Sequence, residues 1–221
     1  EAIERTLSIP PARLESARMF AGLRALHRDQ RGAMLLESAD RSGPSGRFSL
    51  LLPAPSLRLV VNRSGARVHA LDARGERLLA GFAGVRIEPE TGHGPAMAVA
   101  VSTDGGDPGA SDRERLRSPS ALDLIRRLAR WATDTSSPAV PVMVAGALAY
   151  DLVDHFEALP ARAIGGTDND IDALLSLDAV RIDHETGQIA LVARSLLGTD
   201  LDAASQAAAA QERLDGWTAA L

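Results

Sequence analysis

Apolar residues recur every three positions from Leu14 through Ala17, Phe20 and Leu23 to Leu26, with arginines between them. That spacing predicts an amphipathic helix over residues 11–27, entered through Pro10-Pro11, because proline suits a first helical turn. A short apolar run in residues 32–37 reads as a buried strand. Gly, Pro and Ser in residues 41–46 supply the backbone angles of a reversal, and residues 47–52 read as a second strand. Residues 57–61 and 66–71 flank Asn62-Arg63-Ser64-Gly65, a hairpin signal. Residues 88–118 change character, with Pro, Gly, Asp and Thr crowding out apolar positions except for a strand at 97–101. The stretch at about 102–118 reads as a mobile loop. Ser118 or Ser120 then caps a helix to about Ala132, with Leu122, Ile125, Leu128, Ala129 and Ala132 on its apolar face. A proline-containing linker at 133–141 leads to a central strand at 142–148. Residues 150–159 read as a helix stopped by Pro160, and 161–171 as a loop. Strands at 173–182 and 188–194 are joined by a hairpin at 183–187. Residues 201–220 form a terminal helix whose apolar face is Leu201, Ala204, Ala207, Ala210, Leu214 and Trp217. Hairpins with separate helices, rather than alternating βαβ units, predict an α+β fold of antiparallel β-sheets with flanking helices.

Composition narrows the class. Hydrophobic residues are 45% of the 221 residues, enough apolar matter for a real core. No apolar run reaches the ~18–20 residues that span a bilayer, so no membrane association is expected. Cysteine is absent, which excludes thiolate catalysis, disulfides and Cys-ligated metals in this stretch. All 24 basic residues are arginine, which excludes lysine Schiff-base and P-loop chemistry. A formal net charge of −5 argues against nucleic acid as a partner. The N-terminus carries neither the basic nor the apolar region of a secretory signal, and the expected location is cytoplasmic. A first residue of Glu1 rather than methionine reads as a cut or processed segment.

Candidate chemistry is sparse. His27, His69, His93, His155 and His184 show no HxxH spacing, so they read as surface or hydrogen-bonded histidines. Asp168, Asn169, Asp170 and Asp172 carry oxygen ligands for a hard cation but lack the glycine and distal glutamate of a calcium loop, and read as a solvated loop. Arg47 after its glycine-rich turn reads either as an anion-binding or as a structural arginine. Asp151 reads as a helix cap, and Tyr150 as a packed ring with a bonded hydroxyl. These residues by themselves form no catalytic constellation.

Three segments taken together carry a resemblance. They are Leu35-Leu36-Glu37-Ser38-Ala39-Asp40 followed by Ser49-Leu50-Leu51-Leu52; Gly146 to Val153 with Phe156-Glu157 and Leu159-Pro160; and Leu177 to His184. In order and spacing they resemble the N-terminal region of anthranilate synthase component I, over about residues 15–217. Aminodeoxychorismate synthase component I is similar in several of these elements. A stand-alone amino-acid-binding module that kept the fold and lost catalysis is the other class of reading. The resemblance implies one N-terminal domain over residues 1–221, an α+β sandwich whose sheets are completed by the enzyme's own C-terminal chorismate-binding half. It implies a reaction of chorismate with ammonia to give anthranilate and pyruvate, Mg²⁺ and catalytic residues in that other half, and a glutamine amidotransferase subunit as partner. This stretch is then inert alone and carries no catalytic residue. The resemblance also implies that Leu36, Glu37 and Ser38 line an L-tryptophan feedback site. Glu37 is an acceptor for an ammonium, Ser38 a donor to a carboxylate, and Leu36 a wall for an indole. Alternation sets successive side chains on opposite faces, so both polar residues reach one ligand only if the strand is interrupted. The bland reading is that Glu37 and Ser38 end a strand.

Overall fold

Apolar alternation builds two antiparallel sheets, each with its own core. The computed structural model describes residues 2–10, 15–27, 32–38, 43, 46–62, 65–80, 87–90, 94–99, 109, 111–115, 121–133, 140–155, 169–196 and 202–221. The strands are β1 (Ala2–Ser8), β2 (Met34–Leu36), β3 (Phe48–Leu52), β4 (Leu57–Asn62), β5 (Gly65–Ala70), β6 (Ile87–Glu90), β7 (Gly94–Val99), β8 (Met143–Leu148), β9 (Ile171–Ser176), β10 (Ala179–Asp183) and β11 (Gln188–Arg194). The helices are α1 (Ser16–Ala25), α2 (Ala73–Ala80), α3 (Asp112–Arg115), α4 (Ala121–Thr133) and α5 (Ala203–Ala220), with a 3₁₀ turn at Tyr150–His155. The fold is α+β, as the pattern predicts. Among the described residues no helix is long and apolar enough to cross a membrane.

The chain divides into two compact units. The first comprises Glu1–Pro55, Ala132–Met143 and Ser176–Leu221. Its five-stranded sheet runs β1-β11-β10-β3-β2. One face carries Leu51, Val180, Ile182, Ile189, Leu191 and Ala193, packed against Met19 and Leu23 of α1 and Ala210, Leu214 and Trp217 of α5. Each such leucine taken from water contributes about 1.5–3 kcal/mol. The Trp217 indole N–H donates to His27 Nε2 at 3.0 Å, tying the end of α1 to α5. Arg5 reaches from β1 to Asp215 at 2.6 Å and to Thr218 at 2.8 Å on the same helix.

The second unit comprises Ser56–Trp131 and Val144–Leu175. Its six strands run β6-β7-β5-β4-β9-β8. Leu59, Val61, Val68, Ile171 and Leu175 are buried there with Leu78 and Leu79 of α2. Asp72 caps α2 by accepting from the Gly75 N–H at 2.7 Å. Gly75 itself lies against the Ser56 carbonyl, leaving no room for a Cβ.

Several elements differ from the pattern's reading. The helix expected over 11–27 is described as α1 from Ser16, and residues 11–14 lie outside the described residues. Its buried face is Ser16, Met19 and Leu23 with Phe20 partly buried, while Ala17 and Leu26 are exposed. A strict three-residue spacing slips about 60° around a 3.6-residue helix at each step, so Leu14 to Leu26 cannot share one face. On α4 the buried pair is Leu124 and Leu128, four apart. The strand expected over 173–182 breaks at Leu177–Asp178: β9 belongs to the six-stranded sheet and β10 to the five-stranded one. Buried Arg194 fastens the break by donating from Nη1 to the Leu177 carbonyl at 2.7 Å, while its backbone N–H donates to Asp178 Oδ1 at 2.8 Å. The helix expected at 150–159 is a 3₁₀ turn where described, and Tyr150 is 84% exposed rather than packed. Of the loop at about 102–118, only Gly109 and residues 111–115 are described, and 112–115 are α3. Ser118 and Ser120 lie outside the described residues.

Candidate functional site

β2 is an edge strand of three residues, and it ends at Leu36. Glu37 and Ser38 follow it outside any strand, so the strict alternation of faces does not govern them. Leu36 and Glu37 are exposed and Ser38 is half-buried. The three expected effector residues therefore stand at the margin of the five-stranded sheet.

Register sets their neighbours. Leu36 pairs with Leu50, and Leu50 pairs on its other side with Arg181. Paired residues in an antiparallel ladder point to the same face. Leu36, Leu50 and Arg181 thus form one row across β2, β3 and β10, on the face opposite the helices; the adjacent row of Leu35, Leu51 and Val180 faces α1 and α5. Phe48 lies two residues before Leu50 on β3, on the same face, and is 37% exposed, as is Leu36. The Phe48 ring is flanked by two guanidinium groups, Arg47 at 4.9 Å and Arg181 at 5.2 Å from its centroid.

The two arginines have different electrostatic surroundings. Arg47 donates from Nη2 to Asp183 Oδ2 at 2.8 Å and from Nε to the same carboxylate at 3.2 and 3.3 Å. Its Nη1 meets Glu185 at 3.2 Å. Asp183 also accepts from the backbone N–H groups of Glu185 and Thr186, fixing the β10–β11 turn. The Arg47 guanidinium, aided by these N–H groups, holds the Asp183 carboxyl down to about 2. Hydrogen bonding to Asp183 in turn raises Arg47. Arg47 is therefore a structural arginine, and the anion-binding alternative is not the one the geometry supports. Arg181 meets no carboxylate among the described residues.

On the helix face of the same strands, Ser16 Oγ donates to buried Ser49 Oγ at 3.2 Å, and Ser49 Oγ lies 2.7 Å from His184 Nε2. The His184 backbone N–H donates to the Arg47 carbonyl at 2.9 Å. His184 and His27 are thus hydrogen-bonded histidines, as their scatter predicts. Asp170 is buried and Asp172 is clasped by Arg58, at 2.8 Å from Nε, so the reading of Asp168–Asp172 as a solvated loop is corrected for these two; Asp168 lies outside the described residues. Arginine rather than solvent balances Asp172. Among the described residues no group of three or more His, Asp or Glu could hold a metal ion. They offer no ligand set for the Mg²⁺ that the resemblance implies.

The relation of Leu36 to Leu50, Arg181 and the neighbouring Phe48 is not legible in the sequence. The signal that points to it is pairing between residues 14 and 131 positions apart, which residue spacing does not carry.

No family model matches the chain. Over 183 residues, 82% of the chain, it is 30% identical to anthranilate synthase component 1 of Serratia marcescens, covering 34% of that protein. Over 109 residues, 46% of the chain, it is 38% identical to anthranilate synthase component 1 of Mycobacterium tuberculosis (strain ATCC 25618 / H37Rv), covering 21% of it. The chain thus spans about a fifth to a third of the length of the curated relatives it matches. These likenesses make a coarse link between the chain and the chorismate-utilising enzymes to which its motifs point.

Proposed function

We propose that this chain is the N-terminal regulatory and scaffold portion of an anthranilate synthase component I. The whole enzyme would convert chorismate and ammonia to anthranilate and pyruvate. Ammonia would come from glutamine through an amidotransferase subunit, and Mg²⁺ and the catalytic groups would belong to the C-terminal half. Within this chain, Leu36, Glu37 and Ser38 form part of an L-tryptophan effector site. One observation carries the reading: Leu36-Glu37-Ser38 leaves an edge strand beside a half-exposed apolar and cationic face, in a chain similar to anthranilate synthase component 1. Because β2 stops at Leu36, Glu37 and Ser38 are not forced onto opposite faces. In this reading Glu37 accepts from the ligand's ammonium and Ser38 donates to its carboxylate.

The test is Ser38→Phe in the longer enzyme. The benzyl group fills volume that the ligand needs and removes a donor. Losing one hydrogen bond to a charged group costs ~1.5–3 kcal/mol, or roughly ten- to a hundredfold in affinity. Inhibition of turnover by L-tryptophan should weaken by at least that factor, with uninhibited turnover nearly unchanged. Equal half-inhibition concentrations for native and variant would remove Ser38 from the site and favour the aminodeoxychorismate branch.

A further inference from the structure

We infer that Arg181 is the carboxylate anchor of the proposed effector site and that Leu36, Leu50 and Phe48 form its apolar floor; this rests on the effector reading above. The inference begins with the row Leu36–Leu50–Arg181, whose members share one face across three adjacent strands. Neighbouring strands lie about 4.8 Å apart, so Leu36 and Arg181 are separated by about 10 Å. A guanidinium at one end and an apolar edge at the other match an amino acid with a large apolar side chain, whose carboxylate and side chain leave the same carbon in different directions.

Charge decides which arginine serves. Arg47 and Arg181 both touch the Phe48 ring, but Arg47 is saturated by Asp183 and Glu185. Asp183, the carboxylate paired opposite Phe48, is turned toward Arg47 and the turn amides rather than toward Arg181. Arg181 has no such partner among the described residues. Stacking on an aromatic ring engages the π face of a guanidinium and leaves its in-plane N–H fork for a carboxylate. The Phe48 contact therefore orients Arg181 without satisfying it. An arginine held this way and facing an apolar strip donates two parallel hydrogen bonds to a carboxylate, which a single hydroxyl such as that of Ser38 cannot do. Ser38 then supplements the anchor, and Glu37 serves the ammonium.

The experiment is calorimetric titration of L-tryptophan and of tryptamine, which lacks the carboxylate, into the intact protein that carries this chain. It is run on the native form, Arg181→Gln and Arg181→Lys, each checked for an unchanged thermal midpoint. Arg181→Gln should weaken L-tryptophan by about ten- to a hundredfold and leave tryptamine unchanged. Arg181→Lys, which keeps the charge but loses the fork, should fall between. Unchanged L-tryptophan binding in Arg181→Gln overturns the anchor while leaving the effector site standing. Equal losses for both ligands also overturn it, since they report a damaged floor. No binding of L-tryptophan to the native protein overturns the effector reading and the anchor with it.

Discussion

At the scale of single residues, Asp183 is the most heavily bonded side chain near the candidate site. It accepts from Arg47 and from two turn amides, and its side chain is only 10% exposed. Its folded pKa lies at about 2, below the ordinary 3.8. A depressed carboxylate stabilises the fold above its ordinary pKa and loses that contribution as pH falls toward the folded value. Asp183→Asn keeps an acceptor for the turn amides but discards the charge facing Arg47. Since Arg47 is 43% exposed, solvent moderates the loss, and about 1 kcal/mol is expected at pH 7. The variant should also flatten the fall in stability between pH 4 and pH 2. Urea unfolding across that range measures both effects, and an unchanged acid slope would refute the assignment. Residue roles of this kind were only half legible. Arg47 and the glycine-rich turn before it are visible in the sequence, yet the carboxylate that decides between anion binding and structure lies 136 residues away. Leu36, Glu37 and Ser38 were picked out by motif. Phe48 and Arg181 gain their relation only through the registers of β3 with β2 and β10.

Elements were read well where one face is buried and poorly where both are. The hairpins closing at Asn62–Gly65 and at 183–187 fall where turn residues predict them, with Gly187 at a φ of 73°. The break at Leu177–Asp178 is invisible in the pattern because β9 and β10 are largely buried on both faces, so their run shows little alternation to interrupt. β1 is hidden in the pattern because Arg5 occupies an inward position between Ile3 and Leu7 and spans to α5. β6 reads as loop in the sequence because it carries Pro89, which an edge strand tolerates. The eight residues of α2 offer too few apolar positions to show a helical period. Close approach between elements gives a test at this scale. A Cβ on Gly146 of β8 would overlap the Asp172 carbonyl and the Ala173 backbone of β9. Gly146→Ala should therefore push these strands apart and cost about 1–3 kcal/mol. Gly43 has nothing within 4 Å of the same position, so Gly43→Ala should stay within about 0.5 kcal/mol of the native protein. Matched urea midpoints for the two variants would show that β8 does not sit against β9 as described.

For the whole molecule, the order of segments makes the second unit an insertion. It occupies 56–131 and 144–175, while the first unit is assembled from both ends of the chain, with β1 paired to β11. The insertion leaves after β3 and returns before β10, and these strands are antiparallel partners with Leu51 opposite Val180. Its two ends therefore emerge about one strand spacing apart, roughly 5 Å. A chain in which a short glycine-containing loop replaces 56–175 should fold into the five-stranded sheet with α1 and α5. Two effects oppose each other in it. Removing 132–143 deletes the Val140 carbonyl that accepts from buried Arg194, a loss of about 1–3 kcal/mol. Shortening the connection returns about 0.6 kcal/mol for each halving of its length, which over some five halvings comes to about 3 kcal/mol. The balance is near neutral, so the core of Leu23, Leu51, Val180, Leu191, Leu214 and Trp217 decides the outcome. Of the two tryptophans only Trp217 survives the excision, and it is 1% exposed. Its emission should be blue-shifted and should move cooperatively to the red in urea. A chain of residues 1–55 lacks β10, β11 and α5 and should show no cooperative transition by circular dichroism. Red-shifted Trp217 emission in native buffer would mean that the first unit does not fold without the segment inserted into it.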